Sequence, residues 1–244
     1  MTYISRLIPE YCVANRYFAD RLPETLTSDP MHWAAAWLAA ATSDKVQRNP
    51  NSMSLVTVAP DGKPSARIVL CKSFEADPGY LVMYTNYQSH KCREMEQNAN
   101  VCVLFHWDSM GRQIRIGGTA VQSPAAESDA YFASRDGGSQ LGAWGSDQSR
   151  PIESHEALIR QIRGRAAEQG VSLAEEHGTR VAEDSAAIAR PPHWGGMRIW
   201  ASSIELWIEG KDRIHDRALW TRKLTRKAEY EFSVTAWTGT RLQP

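Results

Sequence analysis

From residue 51 onward the chain consists of short apolar runs separated by tight-turn signals, and this pattern limits the fold more than any other feature. The runs 53–59 and 65–72 flank a Pro-Asp-Gly-Lys turn, and the runs 101–107 and 112–121 flank an Asp-Ser-Met-Gly turn. Pro, Asp and Gly in such short connections are typical of β-turns. Each pair of runs is therefore predicted to form an antiparallel hairpin.

Few helices separate the predicted strands. Asp29-Pro30 predicts a helix start, because Asp caps helix N-termini and Pro fits the first helical position. Trp33 and Trp37 would share the packing face of that helix. The pattern further predicts helices at 89–98, 123–134 and about 152–166, a loop at 139–149, and strands at 80–85, 197–208, 214–221 and 231–237. Because helices and strands do not alternate, we expect an antiparallel barrel with helices around it rather than a parallel sheet.

Composition argues against several classes of protein. The 28 Lys and Arg balance the 28 Asp and Glu, which argues against a general nucleic-acid-binding protein. The longest apolar run, 33–41, is too short to span a membrane, and the N-terminus lacks the apolar core of a signal peptide. The four cysteines form no CxxC pair and are expected to be reduced, so a cytoplasmic location is predicted. The seven histidines are scattered, and no metal site is expected.

Four clusters of polar residues are candidates for chemistry, since the phosphate-loop, dinucleotide-binding, hydrolase and metalloprotease motifs are absent from the sequence. The first cluster is Arg213, His215 and Arg217, which would share one face of a predicted strand. Arginine binds phosphate or carboxylate through two parallel hydrogen bonds, and Trp207 would form one wall of such a site. A solvated strand face is the alternative interpretation.

The second cluster joins a strand end, YTN at 84–86, to a helix start, SHK at 89–91. Backbone N–H groups at a helix start together with a lysine favour phosphate, although a simple helix cap is an alternative. The third cluster is Arg67 with Lys72, two cations in an apolar strand, where burying an unpaired charge is costly. Strand alternation places them on opposite faces, so a bulge or two different ligand groups is expected.

The fourth cluster comprises Tyr131, Arg135 and Ser139, followed by the pair Gln148 and Ser149. Four glycines in the same stretch would allow a ligand to approach the backbone closely, although incidental polar residues of a surface loop are an alternative. Several separate anion sites in a neutral protein are expected if it binds two phosphates, one on a cofactor and one on a substrate.

Nine segments, in order along the chain, resemble those of the pyridoxine/pyridoxamine 5′-phosphate oxidase family: RIVLCK (67–72), YTNYQSHK (84–91), RQIRI (112–116), YFASRDGGSQLGAW (131–144), DQS (147–149), HWGGMRI (193–199), IELW (204–207), RIHDR (213–217) and RLQP (241–244). The resemblance implies a mainly β (α+β) fold, an antiparallel split β-barrel with peripheral helices. It also implies a homodimer with sites at the subunit interface. Residues 1–48 would form an N-terminal arm and helix, and residues 49–244 the FMN-binding domain.

The resemblance also implies two sets of contacts. The implied FMN contacts are Arg67, Lys72, Tyr84, Thr85, Lys91, Gln113, Gln148, Ser149, Trp207 and Arg217. The implied substrate contacts are Lys72, Tyr131, Arg135, Ser139, Arg213 and His215. Arg213 and His215 would be catalytic, orienting the substrate ring and assisting proton movement. The implied reaction oxidises pyridoxamine or pyridoxine 5′-phosphate to pyridoxal 5′-phosphate while O₂ is reduced to H₂O₂.

The sequence departs from the family pattern at four places. The segment 165–190 is longer than usual, and the N-terminal arm keeps Pro-Glu-Tyr at 9–11 without the arginine often found before it. The other two departures concern cations. His90 stands where an arginine is usual, which would weaken FMN phosphate binding or make it depend on pH. The stretch Asp136-Gly137-Gly138 lacks a second arginine. Three alternatives remain open: a phenazine-biosynthesis-type flavin oxidase of the same fold, a non-catalytic FMN- or pyridoxal-phosphate-binding module, and an anion-binding structural protein without a cofactor.

Overall fold

The computed structural model describes residues 21–174 and 178–244. The helices in that part of the chain are α1 (Pro30–Ser43), α2 (His90–Gln97), α3 (Ala125–Ala133), α4 (Gly137–Gly145) and α5 (His155–Glu168). The strands are β1 (Ser52–Val58), β2 (Pro64–Leu70), β3 (Ser73–Glu75), β4 (Tyr80–Asn86), β5 (Asn100–Trp107), β6 (Arg112–Gln122), β7 (Trp194–Ile208), β8 (Asp216–Thr221), β9 (Leu224–Arg226), β10 (Phe232–Val234) and β11 (Thr238–Leu242). No helix among the described residues is both long and apolar enough to cross a membrane.

Nine of these strands form one sheet. Its main path runs β11-β8-β7-β6-β5-β1-β2, with β3 and β4 joined off this path, and β9 and β10 form a separate pair. Both predicted hairpins are present: β1 pairs antiparallel with β2, and β5 pairs antiparallel with β6. The predicted mainly β, antiparallel fold class is confirmed.

The chain divides into two compact units. The first unit comprises Met1–Met83, Gln97–Val121 and Met197–Pro244, and the second comprises Tyr84–Glu96 and Gln122–Gly196. The predicted boundary between residues 48 and 49 stays a prediction, and most of the predicted N-terminal arm lies outside the described residues. Cys12 also lies outside them, and Cys71, Cys92 and Cys102 take part in no disulfide in the described part of the chain.

The core of the first unit follows from strand alternation. Burial alternates residue by residue along β1 and nearly so along β5, because one face of the sheet packs inward. Trp107 and Trp220 are buried there, and each indole N–H donates to a backbone carbonyl, of Pro50 and Thr27 respectively, at 2.8 Å. Helix α1 begins as predicted, with the Asp29 side chain accepting from a backbone N–H of the first turn, and it buries Trp33 and Trp37.

The core of the second unit lies around Phe132, Leu141 and Trp194. It includes α4, which corrects the prediction of a loop at 139–149. The Asp136 side chain caps α4 by accepting from the backbone N–H of Ser139 at 2.8 Å, and Leu141 is buried on the inner face. Helix α4 ends at Gly145, where a Cβ atom would lie 2.5 Å from the Ile162 side chain of α5. Gly145 therefore allows α4 to pack closely against α5.

The C-terminal third also differs from the prediction. Strand β8 begins at Asp216, so Arg213 and His215 precede it, and the expected common strand face of Arg213, His215 and Arg217 is wrong. Asp212 and Arg213 have left-handed backbone angles, with φ of 55° and 64°, because the chain reverses direction there in a tight turn. The strand predicted at 231–237 is the shorter β10, and its partner β9 was missed because three-residue strands leave little periodicity.

Candidate functional site

The predicted site residues occur in both units. In the first unit lie Arg67, Lys72, Gln113, Trp207, Arg213, His215 and Arg217. In the second unit lie Tyr84, Thr85, Lys91, Tyr131, Arg135, Ser139, Gln148 and Ser149. Within each unit the fold brings residues distant in sequence into contact.

The second unit buries Lys91 at the start of α2. Its ammonium group donates to Ser89 Oγ at 3.0 Å and to Gln148 Oε1 at 2.8 Å, and Thr85 Oγ1 donates to the same glutamine oxygen at 3.3 Å. The structure therefore joins the second cluster to Gln148 of the fourth cluster, a contact that the sequence did not predict. A buried ammonium beside backbone N–H groups of a helix start is suited to an anion. His90, the departure from the family pattern, is exposed and its Nε2 lies 3.7 Å from Glu94.

The second unit also holds Arg135 against aromatic rings. Its guanidinium lies 4.6 Å from the centre of the Trp194 ring, and Tyr131 stacks on Tyr84 with ring centres 3.7 Å apart. Burial lowers the pKa of Arg135, although nearby Tyr131 and Asp136 oppose this shift. Its Nη1 atom is buried and has no hydrogen-bond partner among the described residues. A buried charged donor left without an acceptor is costly, so this atom is ready for an anionic ligand.

In the first unit Arg217 is held by a buried carboxylate. Arg217 lies opposite Trp207 in the β7–β8 pairing, and its Nε and Nη2 donate to Glu205 Oε1 at 3.0 and 2.8 Å. Arg115 donates to the other carboxylate oxygen. Burial alone raises the pKa of Glu205, but the hydrogen bonds from the two arginines outweigh it, and the pKa lies below its ordinary value.

The tight turn after β7 places His215 against Trp207. Their ring centres are 4.6 Å apart, so Trp207 lies beside His215, and its role as one wall of an anion site stays a prediction. Nδ1 of His215 accepts a hydrogen bond from the backbone N–H of Gly210 at 3.2 Å. Arg213 is exposed at the same turn.

The other first-unit residues occupy strands and strand ends. Arg67 on β2 donates from Nη1 to Thr57 Oγ1 and from Nη2 to Ser65 Oγ, both at 2.5 Å. Lys72 lies two residues beyond the end of β2. The alternation of side chains along a strand therefore does not place it on the face opposite Arg67. Gln113 lies on β6 and is half-buried.

Sequence reasoning missed Glu205 and Trp194, which hold two of the predicted arginines. Both lie in segments that carry the resemblance, IELW and HWGGMRI, but neither has a residue type that by itself indicates anion binding. The only available signal for Glu205 was an acidic residue in an apolar run, since a buried charge needs partners.

Comparisons with known proteins agree with the predicted family. A family model described as "Pyridoxamine 5′-phosphate oxidase" matches residues 41–166. A second, described as "Pyridoxine 5′-phosphate oxidase C-terminal dimerisation region", matches residues 194–244. A pyridoxine/pyridoxamine 5′-phosphate oxidase of Roseobacter denitrificans is 40% identical over 225 residues, 92% of this chain and 99% of its own length.

Two solved structures share the fold. PhzG from Burkholderia lata, in complex with tetrahydrophenazine-1-carboxylic acid, is 27% identical, with a TM-score of 0.71 and 98% of each chain covered. A pyridoxamine 5′-phosphate oxidase-related, FMN binding protein from Nostoc punctiforme is 14% identical, with a TM-score of 0.61 over 87% of this chain and 97% of its own. Together with the family models, these likenesses support the split-barrel fold class.

Proposed function

This chain belongs to the pyridoxamine 5′-phosphate oxidase family, and from that premise we propose that it is an FMN-dependent oxidase. Its substrate would be pyridoxamine or pyridoxine 5′-phosphate and its product pyridoxal 5′-phosphate. With the amine substrate, water would be consumed and ammonia released. We further propose that it acts in the cytoplasm, in keeping with Cys71, which is buried and takes part in no disulfide among the described residues.

The single observation that carries the substrate assignment is the buried Nη1 of Arg135 without a partner. Arg135 stacks on Trp194, which holds its guanidinium in one orientation. Asp136 lies near enough to act on its charge, but no carboxylate among the described residues is hydrogen-bonded to it. A phosphate group supplies the missing acceptor and the missing negative charge. Tyr131, Ser139 and Lys72 would complete the substrate phosphate contacts.

The residues present also suit FMN. Lys91, with Thr85 and Gln148 around it, provides a buried cation for the FMN phosphate. Arg67, Lys72, Tyr84, Gln113, Ser149, Trp207 and Arg217 are the further proposed contacts. When bound, FMN would accept a hydride from the substrate and be reoxidised by O₂ with formation of H₂O₂.

The protein's own contribution to the reaction would be binding and orientation. Arg213 and His215 would hold the substrate ring, with Trp207 packed on the imidazole. The hydrogen bonds from Arg217 to Glu205 would keep its guanidinium group in one orientation. Holding the reacting groups in a productive orientation lowers the entropic part of the activation barrier.

Visible spectroscopy tests the proposed function. We expect the purified protein to be yellow, and to bleach when pyridoxamine 5′-phosphate is added without oxygen. Readmitting oxygen should restore the colour and produce H₂O₂ in equal amount. A colourless protein that takes up no added FMN would contradict the proposal, and pyridoxamine without its phosphate is the matched control substrate.

We also propose a homodimer, supported by the match of residues 194–244 to a dimerisation region. Strand β2 is an edge strand of the sheet, and Ile68 on it is 65% exposed. An apolar side chain so exposed on an edge that no other described strand pairs with is suited to burial against a second copy. Replacing Ile68 with Asp should therefore shift the dimer toward monomer in analytical ultracentrifugation. Ile152→Asp is the control, because Ile152 is 46% exposed and lies outside the matched dimerisation region. Unchanged sedimentation of the Ile68 variant would exclude this strand from the interface.

A second candidate is a phenazine-type flavin oxidase, favoured by the likeness to PhzG. Arg135 by itself would pair with a carboxylate as readily as with a phosphate, so it is the whole set implied for the substrate phosphate, Lys72, Tyr131, Arg135 and Ser139, that argues against this candidate. A reduced tricyclic carboxylate should bleach the yellow protein much more slowly than pyridoxamine 5′-phosphate; the reverse order would favour the second candidate.

A further inference from the structure

The turn between β7 and β8 holds His215 by one specific nitrogen. The backbone N–H of Gly210 donates to Nδ1 of His215 at 3.2 Å. A backbone N–H can only donate, so Nδ1 must be the nitrogen without a proton. The neutral imidazole therefore carries its proton on Nε2.

The local backbone is constrained in a way that maintains this contact. A Cβ atom on residue 210 would lie 1.7 Å from the carbonyl oxygen of Ile214, so only glycine fits there. Asp212 and Arg213 adopt left-handed angles, which cost energy for residues other than glycine. Trp207 packs against the imidazole ring. Together these contacts hold the ring and the Gly210 N–H in fixed relative positions.

The other ring nitrogen of His215, Nε2, is available to a ligand. His215 is half-buried, and its only hydrogen bond among the described residues is the one from Gly210. Nε2 is also not one of the buried polar atoms that lack a hydrogen-bond partner. Its N–H is therefore accessible to a ligand.

We infer that Gly210 fixes His215 as the Nε2–H tautomer, and that His215 donates a hydrogen bond to the substrate instead of taking a proton from it. The inference rests on the proposed function. The acceptor would be an oxygen or a ring nitrogen of the phosphorylated aromatic substrate. To act as a base, the ring would have to take a proton on Nδ1, which would face the Gly210 N–H and break that bond. This inference replaces the expectation that His215 assists proton movement.

Nitrogen-15 NMR of the full-length, flavin-loaded protein tests the tautomer without any turnover. The protein would be labelled at its seven histidines and studied at about pH 8, where an ordinary histidine side chain is neutral. The signals of His215 would be assigned by their loss in His215→Gln. We expect ring-proton correlations that place the proton on Nε2. A proton on Nδ1, or a mixture of the two forms, would overturn the inference.

Kinetics of two matched variants tests the donor role. The side-chain amide of Gln reaches the position of Nε2, whereas that of Asn reaches only the position of Nδ1. His215→Gln should therefore keep kcat/KM within about 3-fold of wild type, and His215→Asn should lose about 10-fold or more. His155→Gln, on the exposed start of α5, is the control for histidine replacement in general.

The outcomes separate this inference from the proposed function. If the wild-type protein oxidises neither phosphorylated substrate, the proposed function fails and the donor role falls with it, while NMR still decides the tautomer. If the wild type is active but the Gln and Asn variants lose activity equally, the donor role is wrong although the oxidase assignment stands.

Discussion

Replacing Glu205 with glutamine should lower the free energy of unfolding by about 2–3 kcal/mol, one of the largest effects of any single change in this protein. Glu205 is only 2% exposed and is hydrogen-bonded to Arg115 and Arg217. Glutamine has the same shape but no charge, and its amide group would present N–H donors to arginine donors. Thermal unfolding followed by circular dichroism should show a decrease in Tm of about 5–10 °C.

We also expect the effect of Glu205→Gln on stability to depend on pH. The pKa of Glu205 in the folded protein lies below its ordinary value of 4.5. A carboxylate with a depressed pKa stabilises the folded state above its unfolded-state pKa and loses that contribution as pH falls through its folded-state pKa. The stability difference between wild type and Glu205→Gln should therefore be full at neutral pH and shrink below about pH 4.5.

Glu209 offers a matched control, since it is exposed and lies four residues further along the chain. Glu209→Gln should leave the free energy of unfolding within about 0.5 kcal/mol of wild type. A stability difference for Glu205→Gln that is small, or that persists unchanged in acid, would contradict the role of the two arginine contacts. If Glu205 also positions Arg217, the Glu205→Gln variant should bind FMN more weakly than wild type. Flavin fluorescence would measure this at a temperature at which the variant is still folded.

Arg135→Ala should raise the KM for pyridoxamine 5′-phosphate by about 10- to 100-fold while changing kcat little. The reason is that Arg135 would bind the phosphate, which is remote from the reacting carbon and is held equally in the ground and transition states. Arg213→Ala should instead lose mainly kcat, because Arg213 would orient the ring that reacts. Steady-state kinetics of the two variants separates the roles, and equal KM effects with unchanged kcat in both would refute the division.

The fold should tolerate Arg135→Ala, which distinguishes loss of binding from loss of structure. Removing a buried donor without a partner removes a cost, while losing the contact with Trp194 removes about 0.5–1 kcal/mol of stabilisation. We therefore expect Tm to change by about 3 °C or less. Arg160→Ala, on the exposed face of α5, is the control and should change neither KM nor Tm.

Local sequence signals predicted the elements whose stability depends on short-range pattern. The hairpins around 60–63 and 108–111 follow from turn residues between alternating runs. Helix α1 follows from Asp29-Pro30. The loop predicted at 139–149 was wrong, because its glycines suggested flexibility, whereas Asp136 caps a helix there and Leu141 packs into the core. Tertiary packing overrode the low helix propensity of glycine.

The sequence by itself determined the antiparallel fold class, the family and which cations were candidates for anion binding, since turn chemistry, strand alternation and motif spacing are all local properties. Only the tertiary structure decided how those cations are held. Glu205 reaches Arg217 across paired strands, Trp194 lies under Arg135, and Gly210 selects the tautomer of His215. Each of these contacts depends on strand register, helix docking or the path of a tight turn. Sequence pattern alone does not specify this geometry, because it depends on backbone angles and on packing that form only in the folded chain.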